Sequence, residues 1–364
     1  MRTIKSRSHD YTVEEHASSA AALAAVTKDV HPHFLVDRAV HDLLEPAVRA
    51  SLPTDRLVLM EASETAKSYG PLEPVFLDLL GRGLRRNGLL VVVGGGVLQD
   101  AGCFIASVLA RGIRWELVPT TLLAQADSCI GSKSSINIGP YKNQIGTFYP
   151  PHRVLLVQDF LRTLPFDEIR SGLGEVIKLQ LLSGEQGFED LMADLEEFAS
   201  LGSADRLPLL AKWVQRSMDV KQPVIQRDEF DQGERLLLNY GHTFGHAFES
   251  VTNFGIPHGI AVVLGILAAT RISCRLGMVA ETQARALARR LRPWHEPYAQ
   301  RLVDIDMADL LAALARDKKN SAAGLTCILT RGFGRMERTS LSPEQVDSCV
   351  APALCDLISC GFTL

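Results

Sequence analysis

The sequence lacks paired cysteines, an excess of basic charge and a long apolar run, and each absence excludes a class of protein. The seven cysteines are scattered and never spaced as CxxC, which argues against a disulfide framework or zinc ribbon and favours a reducing cytoplasm. The net charge of −4 provides no basic surface for nucleic acid. The longest apolar run, Gly259–Thr270, has twelve residues, whereas a membrane span needs roughly 20. It predicts a helix that is buried on most sides.

The length predicts more than one domain, since 364 residues exceed what one ordinary core accommodates and about two domains are expected. No internal repeat or flexible linker is visible, so we expect two closely packed domains with the active site in the cleft between them. Residues 1–33 begin with basic residues, but Glu14 and Glu15 interrupt them before an Ala-rich patch. A signal peptide would have a longer apolar segment, so this stretch predicts a surface helix or partly disordered extension of unknown role.

Residues 34–165 alternate between strand and helix patterns, ending at FLRTLP. Apolar runs predict strands, and segments of helical periodicity lie between them. The predicted strands are Arg56–Ala62, Leu89–Gly96, Arg114–Thr121 and His152–Asp159, and the predicted helices are Glu73–Gly88 and Asp100–Gly112. This order favours a Rossmann-like doubly wound α/β domain. Helical periods dominate in residues 166–364, which predict an all-α second domain.

Two stretches of the first domain are typical of ligand-binding segments. In VVVGGGVLQD the glycines follow a strand, where they allow close backbone approach to a phosphate at the next helix N-terminus, or merely form a tight turn. The long stretch Pro119–Pro151 suits few regular elements. Its lysines, amides and carboxylate could bind a phosphorylated ligand, or it could be a solvated loop; these residues are Asp127, Lys133, Asn137, Lys142 and Asn143.

Three histidines in LNYGHTFGHAFESVTNFGIPHGI raise the possibility of a metal site. His242 and His246 are four residues apart, so they share one face of a predicted helix, and His258 follows a loop. The alternative is a set of hydrogen-bonded core histidines or helix-end charges. From spacing alone, the pair His242 and His246 is the simplest choice of ligands.

Two charged stretches of the second half are open to more than one interpretation. Glu175 and Lys178 lie three residues apart on an otherwise apolar helix in GLGEVIKLQ, which fits either a functional pair or a surface ion pair. The stretch DKKN, Asp317–Asn320, would by itself be a solvated charge cluster.

Taken together, these stretches resemble the 3-dehydroquinate synthase family, within the wider group of sugar phosphate cyclases. The match runs from about Arg56 to about Gly334 and includes GGGVLQD, VPTTLLAQADSCIGSK, KNQIGTFYPP, GLGEVIK, NYGHTFGH and ARDKK in order. The resemblance implies a divalent metal, zinc or cobalt, on Glu175, His242 and His258. His246 is then a substrate-side residue and not a ligand.

The resemblance also implies an NAD site and a substrate site. The NAD site maps onto Glu64, Lys67, Gly95, Gly96, Asp100, Thr120, Thr121, Lys142 and Thr163. The substrate site maps onto Arg111, Asp127, Lys133, Asn143, Lys178, Lys221, Arg235, Asn239, His246 and Lys318. Such a set of cations suits a small-molecule substrate that carries a phosphate and a carboxylate.

The reaction that the resemblance implies is redox-neutral. NAD+ takes a hydride from a sugar phosphate, phosphate leaves by elimination, the hydride returns, and an intramolecular aldol closes a carbocycle. The enzyme is then a carbon–oxygen lyase, expected as a cytoplasmic homodimer. Arg235 and Asn239 favour the seven-carbon keto-acid phosphate that gives 3-dehydroquinate. Departures such as Ile260 and the loop INIGPYKN favour instead a cyclase of sedoheptulose 7-phosphate or a hexose phosphate, of the epi-valiolone or deoxy-inosose type.

Two further hypotheses belong to other classes of protein. A metal-dependent NAD alcohol dehydrogenase shares the two-domain architecture, but the many phosphate-binding cations argue against it. A non-catalytic relative is disfavoured because the ligand and lysine positions are intact.

Overall fold

The computed structural model describes residues 1–26, 31–139, 141–303, 305–316 and 324–362. The chain divides into two compact units, Met1–Pro165 with Gly202–Phe230, and Phe166–Leu201 with Asp231–Leu364. The first unit contains the sheet and the second is mainly helical, as predicted. The ranges differ from the prediction in two places, since residues 1–26 and 202–230 both belong to the sheet unit.

The regular elements are as follows. The strands are β1 (Arg2–Ile4), β2 (Tyr11–His16), β3 (His33–Asp37), β4 (Leu57–Met60), β5 (Leu89–Gly94), β6 (Arg114–Pro119), β7 (Ile136–Ile138), β8 (Tyr141–Ile145), β9 (Arg153–Val157), β10 (Leu325–Thr330) and β11 (Met336–Leu341). The helices are α1 (Ser19–Ala25), α2 (Arg38–Leu43), α3 (Pro46–Ser51), α4 (Tyr69–Gly81), α5 (Gly96–Val108), α6 (Phe166–Ser183), α7 (Glu185–Ser200), α8 (Leu207–Arg227), α9 (His242–Val251), α10 (His258–Arg275), α11 (Glu281–Ala299), α12 (Met307–Ala315), α13 (Pro343–Gln345) and α14 (Ala351–Ser359).

The sheet of the first unit has seven strands in the order β1-β2-β9-β6-β5-β3-β4. All neighbours are parallel except β1 and β2. The central strand β5 is buried along its whole length, which explains its continuous apolar run. Because β3 has β4 on one side and β5 on the other, the strand order reverses there. Ligands of open α/β sheets bind at the carboxyl ends of the strands at such a point.

The N-terminal segment contradicts the prediction of a surface helix or disordered extension. β2 pairs in parallel with β9, in a register that joins Val13 to Val154. Tyr11 and Val13 are each 2% exposed, so alternate side chains of this strand face the core. Within residues 1–26 only the Ala-rich patch forms a helix, α1, with the Ser18 hydroxyl accepting at its N-terminus.

The second unit is built around α10, which is buried along most of its length. By length and composition alone α10 could cross a membrane, but its burial within this unit is that of a core helix. The prediction of an all-α domain misses one feature, the antiparallel hairpin of β10 and β11.

Two glycines bring α6 against α10. A Cβ on Gly174 would collide with the backbone oxygen of Gly259, and a Cβ on Gly259 would collide with that of Ser171. Without side chains at these two positions the helix backbones touch. The neighbouring residues Glu175 and His258 therefore lie on closely apposed backbones.

Candidate functional site

The three histidines of the second unit converge. Each of His242, His246 and His258 has a ring nitrogen within 4.8 Å of the others. His242 is the first residue of α9, His246 lies one turn further along, and His258 is the first residue of α10. The buried Glu175 on α6 directs Oε1 at two of these rings, 3.4 Å from His242 Nε2 and 3.1 Å from His258 Nε2. The predicted ligands Glu175, His242 and His258 are thus brought together.

The other ring nitrogen of each proposed ligand has its own partner. His242 Nδ1 lies 3.3 Å from the carbonyl oxygen of Tyr240. His258 Nδ1 lies 3.3 Å from Oε1 of Glu249 and 3.4 Å from its Oε2. Since a carbonyl or carboxylate can only accept, each Nδ1 carries the proton. In each ring Nε2 is then the nitrogen that a metal would bind.

Buried charges set the electrostatics of this cluster. Burial alone would raise the pKa of the Glu175 carboxyl, but the Lys178 ammonium, with Nζ 2.5 Å away, and His242 hold that pKa well below its ordinary value. Burial lowers the pKa of His242. For His258 burial is outweighed by Glu249 and Glu175, which raise the pKa to about 10. The ionised Glu175 is ready to bind a cation.

The donor set fits a divalent metal. Around a tetrahedral Zn²⁺ with ligands at about 2.0–2.1 Å, neighbouring ligand atoms lie about 3.3 Å apart. The separations of 3.4 and 3.1 Å from Glu175 Oε1 to the two Nε2 atoms match that spacing. A carboxylate with two imidazoles is also a ligand set of catalytic zinc, which keeps at least one position open. His246 lies in the same cluster and can face that open position.

The other predicted substrate residues of the second unit have different surroundings. Lys178 is 2% exposed and paired with Glu175, so the alternative of a surface ion pair is wrong. Arg235 is buried in the 3₁₀ turn Glu234–Asn239, and Asn239 Nδ2 donates to Leu236 O. Lys318 lies outside the described residues.

The predicted NAD residues of the first unit gather at the carboxyl edge of the sheet. Gly95 and Gly96 follow β5, and a Cβ on Gly95 would lie 2.8 Å from Thr121 Cγ2. Thr120 is 3% exposed, and its hydroxyl has no hydrogen-bond partner among the described residues. A buried hydroxyl without a partner is costly, and a ligand at this edge would satisfy it. Thr163 is exposed in the turn that follows β9.

A polar network next to this edge contains the remaining predicted NAD residues. Lys67 Nζ donates to Asp100 Oδ2 at 2.9 Å and lies 3.6 Å from Glu64 Oε1, which is also 3.8 Å from Lys142 Nζ. Burial opposes charge on Lys67, but Asp100 and Glu64 raise its pKa. These side chains therefore form one charged cluster.

The predicted substrate residues of the first unit are not all together. Lys221 on α8 is ion-paired with Asp127 and donates to its backbone oxygen at 2.6 Å. Lys133 is exposed, and its backbone forms an isolated antiparallel β-bridge with Phe148. Arg111, with φ +64°, is exposed beyond the far end of α5. Because the helix spans roughly 20 Å, Arg111 lies at the sheet edge opposite to Gly95.

Two buried carboxylates were not among the predicted site residues. Asp37 ends β3, beside the strand-order reversal, and its Oδ1 accepts from Ala39 N at 3.0 Å. The signal was an acidic residue directly after the apolar run HFLV, a position suited to a ribose hydroxyl. Glu249 is buried against His258; its distance in sequence from His258 offered no local signal.

Comparison with known proteins decides the family. Sequence profiles of the N-terminal and C-terminal domains of 3-dehydroquinate synthase match residues 57–171 and 172–320. The 3-dehydroquinate synthase of Paracoccus denitrificans is 36% identical over 342 residues, which are 90% of this chain and 91% of that protein. The chain belongs to the 3-dehydroquinate synthase family. The predicted family is confirmed, and so is the prediction of an enzyme of the phosphate-eliminating lyase class.

Two solved structures share the fold. A 2-deoxy-scyllo-inosose synthase complexed with carbaglucose-6-phosphate, NAD⁺ and Co²⁺ has a TM-score of 0.80 at 21% identity, over 96% of this chain and 99% of that one. A 2-epi-5-epi-valiolone synthase from Streptomyces hygroscopicus subsp. jinggangensis 5008, with NAD⁺ and Zn²⁺ bound, has a TM-score of 0.79 at 22% identity, over 98% and 99%. At these identities the likeness establishes the fold alone, and it agrees with the predicted α/β and helical domains.

Proposed function

We propose that the chain is an NAD- and divalent-metal-dependent cyclase that converts the seven-carbon keto-acid phosphate to 3-dehydroquinate with loss of phosphate. The single observation that carries this proposal is the convergence of Glu175 with His242 and His258, in a chain that resembles 3-dehydroquinate synthases over nine-tenths of its length. When bound, NAD⁺ would supply reversible hydride transfer and Zn²⁺ or Co²⁺ would polarise the reacting oxygen. The proposed enzyme acts in the cytoplasm as a homodimer.

The residues of the second unit have separate roles in this proposal. Glu175, held ionised by Lys178, and the two Nε2 atoms would hold the metal. His246, one helical turn from His242, would face the substrate. Arg235 would bind the substrate carboxylate, because a guanidinium can make two parallel charge-assisted bonds to it.

The residues of the first unit would hold the cofactor and the phosphorylated substrate. The Gly95–Gly96 turn at the N-terminus of α5 offers backbone N–H groups to a pyrophosphate. Thr120, Thr121, Lys142 and Thr163 would complete the NAD site with the Glu64, Lys67 and Asp100 cluster. Lys133, Asn143 and the Lys221–Asp127 pair would bind substrate oxygens, and Lys318 is proposed for the same role from the family resemblance. Arg111, whose role also rests on that resemblance, lies at the opposite sheet edge and would not reach this substrate within one chain.

A second candidate is a cyclase of sedoheptulose 7-phosphate or a hexose phosphate. One feature favours it: Ile260, fully buried on α10, directly follows the His258–Gly259 pair and is a departure from the family pattern. Arg235 favours the keto acid more strongly, because a guanidinium can make two parallel charge-assisted bonds to a carboxylate.

The test is incubation of the purified protein with NAD⁺, Zn²⁺ or Co²⁺ and each of three phosphates. These are the keto-acid phosphate, sedoheptulose 7-phosphate and a hexose phosphate. The release of phosphate and the mass of the product are then measured for each. We expect phosphate and 3-dehydroquinate from the first, with the NAD⁺ concentration unchanged at the end. Turnover of sedoheptulose 7-phosphate alone would replace the proposal with the second candidate. NADH formed mole for mole with product would indicate a dehydrogenase.

A further inference from the structure

Asn137 on β7 uses both ends of its buried side-chain amide. Its Oδ1 accepts from the backbone N–H of Asn143 at 2.8 Å. Its Nδ2 donates to Oε1 of Glu64 at 2.9 Å and to the backbone oxygen of Glu64 at 3.0 Å. Because a backbone N–H only donates and a carboxylate only accepts, the orientation of this amide is fixed. Asn137 thus joins two segments that are far apart in the sequence.

The partner Asn143 has a backbone that needs support. Its φ is +56°, in the left-handed region that non-glycine residues seldom occupy. Its Oδ1 accepts from Lys67 Nζ at 3.0 Å and from Ser135 Oγ at 3.1 Å. These donors fix the carbonyl end, and with it the direction of the Nδ2 end.

These contacts form one continuous chain. Glu64 is hydrogen-bonded to the Asn137 side chain, which is hydrogen-bonded to the backbone of Asn143. The Asn143 side chain is hydrogen-bonded to Lys67, and Lys67 to Asp100. The backbone N–H of Asn137 also donates to Lys67 O at 2.9 Å. Glu64 and Asn143 therefore cannot move independently while the Asn137 amide is in place.

We propose that Asn137 is a positioning residue that couples the NAD-binding carboxylate Glu64 to the substrate-binding amide of Asn143. The inference rests on the proposed function, which assigns Glu64 to NAD⁺ and Asn143 to substrate. An Asn137 that merely ties two loops together would affect stability and leave the affinity of the folded protein for NAD⁺ unchanged. The coupling role affects that affinity directly.

The test begins with Asn137→Asp, which keeps size and the acceptor for Asn143 N–H. It replaces the donor facing Glu64 with a carboxylate oxygen, so two acceptors oppose each other. We expect the Kd for NAD⁺, titrated without substrate, to rise about 10-fold or more. At saturating NAD⁺ we expect KM for the substrate to change less than in Asn137→Ala, which removes both contacts.

The second arm reverses the polarity of the contact. In the double variant Glu64→Gln with Asn137→Asp, a Gln donor again meets an Asp acceptor. The double variant should therefore bind NAD⁺ less than about 3-fold more weakly than Glu64→Gln alone. Tyr141→Phe, at a side chain 62% exposed on the same hairpin, is the matched control and should bind NAD⁺ as the wild type does.

The outcomes separate the inference from the proposed function. If wild type binds NAD⁺ and Asn137→Asp binds it equally well, with only a lower Tm, the inference is overturned and the proposed function stands. The inference is also overturned if Asn137→Asp weakens NAD⁺ binding by the same factor in the wild type and in Glu64→Gln. If wild type does not bind NAD⁺ at all, the proposed function fails and the inference fails with it.

Discussion

Both carboxylate oxygens of Glu249 lie within 3.4 Å of Nδ1 of His258. A carboxylate at this nitrogen fixes the tautomer of the ring and directs Nε2 outward as a ligand atom. Removing it in Glu249→Leu should weaken Zn²⁺ or Co²⁺ binding about 10- to 100-fold, measured by competition with a chelator. Glu249→Gln, which keeps one acceptor, should lose less. Equal metal affinity in Glu249→Leu and wild type would exclude this role.

The three clustered histidines should differ in their effect on metal content. His258→Ala removes a proposed ligand, so we expect a loss greater than the roughly 100-fold that an outer hydrogen-bond partner can contribute. His246→Ala should retain metal and lose turnover, because His246 is assigned to substrate. Elemental analysis after dialysis distinguishes the two. Loss of metal in His246→Ala with retention in His258→Ala would reverse the assignment.

Arg235 should determine the choice of an acidic substrate. Removing one partner of a buried charge pair costs about 2–5 kcal/mol, so Arg235→Ala should lower kcat/KM for the keto-acid phosphate roughly 30-fold or more. The effect on sedoheptulose 7-phosphate, which has no carboxylate, should be smaller. Steady-state phosphate release with both substrates measures the difference. An equal loss for both would mean that Arg235 binds another group.

His295 should make the protein less stable in mild acid. Its ring is fully buried on α11, neither nitrogen has a hydrogen-bond partner among the described residues, and the charges that act on it are Glu296 and Arg292 on the same helix. Burial lowers its pKa from 6.5 to about 4. Between about pH 4 and pH 6.5, His295 is protonated in the unfolded chain but not in the folded protein. The free energy of unfolding therefore falls as the pH drops from about 6.5 to about 4.

The size of this effect can be measured with His295→Leu. The contribution of His295 to the decrease is at most about 3 kcal/mol. Chemical denaturation across this pH range should give a shallower decrease for His295→Leu and for His295→Phe than for wild type. The same slope in all three proteins would show that other groups titrate.

Much of the fold could be predicted from local sequence. Long apolar runs such as Leu89–Gly94 identify buried parallel strands because both faces must be apolar. The short β1 and the partly polar β2 could not be recognised, since β1 pairs with β2 and the other partner of β2, β9, is more than a hundred residues away. The hairpin of β10 and β11 pairs locally, but it follows a long series of helical segments and was included in the predicted helical domain.

Less of the candidate site could be predicted from the spacing of residues in the sequence. Residues four apart on a helix are visible in the sequence, and so the pair His242 and His246 stands out. The contact of Glu175 with His242 and His258 depends on the packing of three helices, which no local pattern encodes. The resemblance to a family supplied that assignment, but it did not indicate Asn137 or Glu249, whose roles follow from hydrogen bonds made in the folded chain.

The contact between Gly174 and Gly259 has a consequence for how tolerant the chain is to mutation. Any side chain at either position would separate the backbones that present Glu175 and His258. A saturation scan scored by activity should therefore rank both glycines with the metal ligands, although neither has a functional group. A scan scored by abundance would separate the two classes, because substituting these glycines disrupts packing whereas His258→Ala leaves the folded protein in place.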